Sequence, residues 1–441
     1  MNYIAGSAAQ SRPPRFARKH RWILLLSLIV IGACGLETSE SADTGEDRSY
    51  EAQYRVRIDP AEAVADVTLN IRQSRSLLRE LNFPSVTAAV SGFDGDGDIS
   101  TDGDAVRWLL PAAGGELRWQ VRIAHRRGKN AFDAWLGPDW GLFRAEDIIP
   151  RARTRALKGS TSNTSLTFDL PVGWSIVTEY SGVSEPIIVS RPERKFDQPT
   201  GWILVGDIGV RRETIAGVRV AVAGPQGHAV RRMDMLALLN WTLPELVALL
   251  PQPPERLTIV SAGEPMWRGG LSAPASLYIH ADRPLISENA TSTLVHEAVH
   301  TTLALRAIEG SDWIVEGLAE YYSLELLKRG GAITGRRYAA AMADQADWAS
   351  QSNSLCGAVS KGATTALAVT VFRKLDQEIR DKTAGVSNLD TVLGRLLALE
   401  SPVDVEQLSG VAAEIIGEPS DALHSDNLPG CTRMLPDGSK Q

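Results

Sequence analysis

From Tyr50 to about Gly217 apolar and polar residues alternate in short runs, among them Tyr54-Arg55-Val56-Arg57-Ile58, Ala65-Asp66-Val67-Thr68-Leu69-Asn70-Ile71 and Leu117-Arg118-Trp119-Gln120-Val121-Arg122-Ile123. Gly, Pro and Asp clusters separate them. A period of two sends successive side chains to opposite faces, so this half is predicted to be half-buried antiparallel strands in a β-sandwich or a large curved sheet. After Arg256 the period changes. Leu257-Thr258-Ile259-Val260 and Ser276-Leu277-Tyr278-Ile279-His280 read as strands set among helical patterns at 233–250, 290–307, 313–328 and 362–380. A last helical stretch, 389–416, breaks near Ser401-Pro402. No internal repeat is present. The predicted class is α+β: an all-β domain over 50–217, a second domain over 218–385, and a helical C-terminal segment and tail over 386–441.

The N-terminus follows a different pattern. Arg12, Arg15, Arg18, Lys19 and Arg21 precede the apolar run of residues 22–33, which is shorter than the ~20 residues of a spanning helix and reads as a signal peptide over 1–33. The run ends in Ile31-Gly32-Ala33-Cys34, which resembles the lipobox of bacterial lipoproteins. The resemblance implies acylation of Cys34, a membrane anchor in the cell envelope and, with Gly35 rather than Asp next, sorting to the outer membrane. Residues 34–49 are small and acidic, a flexible tether with a span of roughly 20 Å.

At 441 residues, 44% hydrophobic and 22% charged, the chain has globular composition, and it lacks the glycine period of collagen and the long apolar runs of a multi-span membrane protein. The formal net charge of −7 becomes −12 without the first 33 residues. An acidic body with no Lys/Arg stripe excludes nucleic acid as a partner. With Cys34 acylated, Cys356 and Cys431 are the remaining cysteines, and in an oxidising compartment they are expected to pair and staple the tail to the helices before it. Asp94-Gly95-Asp96-Gly97-Asp98 has the acidic spacing of a calcium loop. It carries Ile99 and Ala105 where such a loop needs Gly and Glu, and so reads as a turn.

Candidate chemistry is concentrated in Thr293-Leu294-Val295-His296-Glu297-Ala298-Val299-His300. HExxH on a helix places two imidazoles one turn apart on one face, as two zinc ligands require, with a carboxylate beside them. A third ligand is available in Trp313-Ile314-Val315-Glu316-Gly317-Leu318-Ala319-Glu320-Tyr321-Tyr322, after a turn at Gly310-Ser311-Asp312 that brings a second helix back across the first. Glu316 would reach the metal, and Glu320, one turn on, would orient a ligand histidine.

HExxH followed by WxxEGxAEY resembles the gluzincin metallopeptidases, specifically the aminopeptidase N and glycyl aminopeptidase families. The resemblance implies a thermolysin-like catalytic domain over 218–385. In it His296, His300 and Glu316 bind one Zn²⁺, and Glu297 takes a proton from the zinc-bound water that attacks a peptide carbonyl. Arg268-Gly269-Gly270-Leu271 resembles the edge strand that pairs with substrate backbone, making Gly269, Gly270 and Leu271 substrate-binding residues. Lys361-Gly362 and Leu375-Asp376-Gln377-Glu378-Ile379-Arg380 are similar to the helical segment of the glycyl aminopeptidases. Two positions depart from the pattern. Ser272 replaces a Glu that holds the substrate's α-amine. Val359 replaces a Tyr that donates to the oxyanion, a donor class worth about 2.7–4 kcal/mol. Tyr278, His280, Tyr338 and Lys361 are the conceivable substitutes. The expected protein is a lipid-anchored, exported zinc metallopeptidase acting on peptides or proteins as an aminopeptidase or an endopeptidase. The alternative is a catalytically impaired zinc protein that binds them.

Overall fold

The computed structural model describes residues 48–180, 186–189, 196–399 and 401–431. Cys34, the signal peptide and the tether up to Asp47 lie outside the described residues. Among the described residues the N-terminal part builds three sheets of six, four and five strands. Its first strand, Ser49–Asp59, pairs antiparallel with Val64–Arg72 and parallel with Thr161–Asp169. Tyr50, Ala52, Tyr54, Val56 and Ile58 of that strand are buried while Glu51, Arg55 and Arg57 face solvent, as alternation requires. The Asp-Gly run is a turn between strands Val90–Gly95 and Asp98–Asp102, with Gly97 at φ 81°.

A fourth sheet carries the site. Its strands are β1 (Ile208–Ile215), β2 (Val218–Pro225), β3 (Arg256–Ala262), β4 (Gly270–Ala273) and β5 (Ser276–His280), in the spatial order β1-β2-β3-β5-β4. β1 and β2 form a hairpin whose tip is Ala216-Gly217, so the sequence division at 217/218 falls on that tip and the sheet begins at Ile208. β2, β3 and β5 run parallel, and β4 returns antiparallel along the outer side of β5. The unbroken apolar run in β3 has a physical cause: both faces of this sheet are covered. Leu257, Ile259, Leu277 and Ile279 enter the helical core, while Val260, Ala262 and Tyr278 pack with Trp140, Trp202 and Leu204 of the N-terminal sheets.

Among the described residues seven helices of at least nine residues follow β2: α1 (Arg232–Val247), α2 (Thr293–Leu303), α3 (Asp312–Arg329), α4 (Gly335–Ala349), α5 (Ala363–Lys382), α6 (Leu389–Leu397) and α7 (Val405–Ile416). α2 is shorter than its sequence pattern. Ser292 caps its start by accepting from Val295 N–H, and Ala304, at φ 49°, ends it. The chain beyond then bridges to the C-terminal segment through Ala307 and Val403. α4 does not appear among the patterns read from the sequence, because few of its apolar side chains are large; Thr334 caps it through Arg337 N–H. α3 crosses α5 closely at Gly317, where a Cβ would stand 2.5 Å from that of Ala368. A disulfide joins Cys356 to Cys431, and Glu378 of α5 accepts hydrogen bonds from Ser420 Oγ and from the N–H groups of Asp421 and Ala422. Among the described residues no helix is long and apolar enough to cross a membrane.

Candidate metal centre and its cleft

α2 and α3 face each other, and each presents a stripe of two side chains one turn apart. His296 and His300 stand on α2, with ring centroids 4.7 Å apart, and Glu316 and Glu320 stand on α3. His296 Nε2 lies 3.1 Å from His300 Nε2 and 3.6 Å from Glu316 Oε2, and His300 Nε2 lies 3.5 Å from Glu316 Oε1. Ligand atoms about 2.0–2.2 Å from a tetrahedral zinc stand roughly 3.3 Å from one another, so the three side chains fit a single zinc ion. Among the described residues no other group of three His, Cys, Asp or Glu side chains has this spacing.

Behind His296 the hydrogen bonding is directional. Its Nδ1–H donates to Glu320 Oε2 at 3.0 Å, which leaves Nε2, facing Glu316 and His300, as the nitrogen available to a metal ion. Gln345 of α4 donates from Nε2 to the other oxygen of Glu320 at 3.1 Å, and Gln345 is 5% exposed. The protein groups alone set strong local fields. Burial opposes protonation of His296, but Glu316 and Glu320 outweigh it and take its pKa to about 10. Burial likewise opposes ionisation of Glu316, but the two imidazoles hold its pKa at about 2. This is a convergence of negative and imidazole groups that a cation resolves.

Glu297, beside the ligands, is buried, and burial raises its pKa above the usual carboxylate range, against the lowering effect of the two imidazoles and the Ser272 N–H. β4 packs directly over it. A Cβ on Gly270 would stand 2.6 Å from Thr293 Cγ2 and 2.7 Å from Glu297 Cγ, so glycine is what allows the strand to approach the helix.

A cleft of about 580 Å³ opens on this site, lined by Gly269 and Gly270, by Ser292 and Thr293 at the start of α2, by His296, Glu297, Glu316 and Glu320, and by Trp348, Ser360 and Lys361. Leu271 does not line it; its carbonyl accepts from the Trp202 indole at 3.1 Å. Ser272 is exposed at the free edge, and Val359 is 66% exposed and does not line the cleft. Of the four conceivable substitutes Lys361 alone lines it. Tyr278 donates to the Trp267 carbonyl, Tyr338 donates to Glu325, and His280 is fully buried with Nδ1 accepting from Asp282 N–H. Gln345, Trp348 and Arg283 belong to the cleft and were not singled out from the sequence. The only signal for the first two was the Ala-rich stretch behind Thr334. A cavity of equal volume, between residues 176–180 and β1–β3, is lined by Glu179, Arg212, Glu213 and Arg256 but holds no imidazole.

No protein-family model matches the sequence, and no curated protein matches it. Solved structures do. An aminopeptidase N family protein from Idiomarina loihiensis is similar at a TM-score of 0.60 and 15% identity, over 79% of this chain and 70% of that one. The M1 zinc metallopeptidase of Deinococcus radiodurans is similar at a TM-score of 0.55 and 16% identity, over 88% and 94% of the two chains. Native yeast LTA4 hydrolase is similar at a TM-score of 0.54 and 13% identity, over 88% and 68%. Across a multi-sheet β region, the sheet over α2 and the helices behind it, the chain has the fold of the M1 zinc metallopeptidases.

Proposed function

We propose that the chain is a zinc-dependent peptidase, exported and lipid-anchored through Cys34 in a bacterial cell envelope, with the outer membrane as the favoured location. The observation that carries the catalytic reading is the placement of a buried carboxylate, Glu297, beside three convergent ligand atoms at the floor of an open cleft. Zinc held by His296, His300 and Glu316 supplies a Lewis acid that acidifies water and polarises a carbonyl. Glu297 accepts the proton of the attacking water and returns it to the leaving amine. β4, on the edge of its sheet, offers backbone groups to an extended peptide, and Gly270, packed against Glu297, lets that peptide lie close above it. Glu320 and Gln345 hold the ring of His296 in place.

The test uses residues 49–441, with bound zinc measured by elemental analysis and a mixed peptide library screened by mass spectrometry. One zinc per chain, with cleavage by the wild type and none by Glu297→Gln, is the expected result, and the cut positions separate exo- from endopeptidase action. Cleavage retained by Glu297→Gln would refute the base assignment. A second reading, a zinc protein that binds peptides without cutting them, is favoured by the exposed Val359, which brings no hydrogen-bond donor to the cleft; bound zinc with no cleavage would select it. Support for export comes from the basic and apolar N-terminal pattern and the Cys356–Cys431 disulfide. Unchanged processing in the presence of globomycin would remove the lipid anchor from this reading.

A further inference from the structure

The charges of the cleft are unevenly committed. All three of its carboxylates are engaged with the metal site: Glu316 with both imidazoles, Glu320 with His296 and Gln345, and Glu297 between the imidazoles and the Ser272 N–H. None is free to receive a substrate's ammonium group. The cleft also carries three cations. Arg268 is taken up by Glu264 and Asp282, at 2.9 and 3.1 Å. Arg283 and Lys361 are exposed, and among the described residues neither forms an ion pair. Arg283 Nε donates to Thr293 Oγ1 at 3.2 Å, which holds the guanidinium across the first turn of α2. Lys361 also lines the cleft, two residues before α5. Glu288 and Asp347, close to the cleft in sequence, do not line it.

Two cations without ion-pair partners, lining a cleft whose acids are all occupied, favour an anion in the remaining space, and a divalent metal would add to that field. An arginine fork and a lysine ammonium both suit a carboxylate through charge-assisted hydrogen bonds. We propose that the cleft selects peptides with a carboxylate near the scissile bond, and that Arg283 and Lys361 receive it. The carboxylate has two sources in a peptide, the C-terminus and an Asp or Glu side chain. This inference rests on the peptidase reading for its substrate class and makes the two residues determinants of specificity.

The experiment uses fluorescein-labelled heptapeptides of alternating Ala and Leu with one Glu placed at each position in turn, the matching Gln peptides, and both sets as C-terminal acids and amides. Cleavage by the zinc-loaded protein is measured as kcat/KM, and binding to zinc-loaded Glu297→Gln protein is measured by fluorescence anisotropy. The expected result is that removing the preferred carboxylate weakens binding and kcat/KM by about tenfold to a hundredfold, the range for a lost charge-assisted hydrogen bond. The acid and amide arms identify the C-terminus as the source, and the Glu and Gln arms identify the side chain. In Arg283→Gln/Lys361→Gln the preference should fall below about threefold; both positions are exposed, so circular dichroism and zinc content should match the wild type. Zinc-loaded Glu297→Gln protein that binds all four sets within twofold, or an Arg283→Gln/Lys361→Gln variant that keeps the full preference, would overturn the inference. If the preference is present in binding while nothing is cut, the hydrolytic reading fails, while the selection of a carboxylate by Arg283 and Lys361 stands. If peptides are cut with no preference, the inference alone fails.

Discussion

Replacing Glu320 tests how the site is held together. Its carboxylate accepts from His296 Nδ1 at 3.0 Å and from Gln345 Nε2 at 3.1 Å, and its side chain is 14% exposed, so water cannot readily substitute for it. In Glu320→Met the shape is kept and both hydrogen bonds are lost. His296 loses the charged acceptor that fixes its tautomer, and a hydrogen bond to a charged group is worth about 1.5–3 kcal/mol. If that energy is expressed in metal binding, zinc affinity falls roughly tenfold to a hundredfold, the range found for partners of ligand histidines. Glu320→Gln should lie between this variant and the wild type, near a threefold to tenfold loss by the same reasoning. Its amide oxygen still accepts from His296, and Gln345, whose Oε1 has no hydrogen-bond partner, can turn over to accept from the new amide N–H. Zinc dissociation constants from chelator competition at one pH and ionic strength, with melting temperatures in EDTA as a folding control, would measure the series. A Glu320→Met protein that binds zinc within twofold of the wild type would refute the reasoning. So would a Glu320→Gln protein as weak as the Met variant, because the acceptor retained by Gln would then count for nothing.

Three further outcomes are expected. Gly270→Ala forces a Cβ to within 2.7 Å of Glu297 Cγ; overpacking of this kind costs about 1–3 kcal/mol, and kcat should fall at least about tenfold with zinc content intact. A variant with unchanged melting temperature and kcat would mean that β4 and α2 separate freely. Reducing the Cys356–Cys431 bond, which spans 75 residues, should cost about 2–4 kcal/mol in urea unfolding, and no change in midpoint would show that the tail does not stabilise the fold. Burial would raise the pKa of Glu378, but the Ala422 and Asp421 N–H groups and the Ser420 hydroxyl outweigh it and lower it. Its contribution is therefore present above its unfolded-state pKa and lost as pH falls through the lower folded-state value. Proteolysis of the C-terminal segment should accelerate in acid, and Glu378→Gln should show that acceleration already at pH 7; equal cleavage of wild type and variant at pH 7 would contradict it.

The features legible in the sequence are those whose physics is local. Alternation in Tyr54-Arg55-Val56-Arg57-Ile58 is a property of any strand with one wet face, and HExxH places His296 and His300 on one helical face whatever surrounds them. Glu316 was within reach because a short turn before a second helix constrains where that helix begins. Residues 290–307 read as one helix because their composition contains no breaker. Where α2 stops depended on Ala304 adopting a left-handed conformation and on the pairing of Ala307 with Val403, a contact almost a hundred positions away in the chain.

What the tertiary structure alone decided is which non-local groups share the space around the metal site. Gln345 and Trp348 reach it from α4, whose small apolar residues leave a weak pattern, and Arg283 and Lys361 line the same cleft although 78 positions separate them in the sequence. Leu271, adjacent to the two glycines that line the cleft, turns its carbonyl instead to Trp202, because alternate groups along a strand face opposite ways. Helical and strand periods act over a few residues and are written in them. The ionic balance of a cleft is the sum of charges brought together by packing, and no window of the sequence contains it.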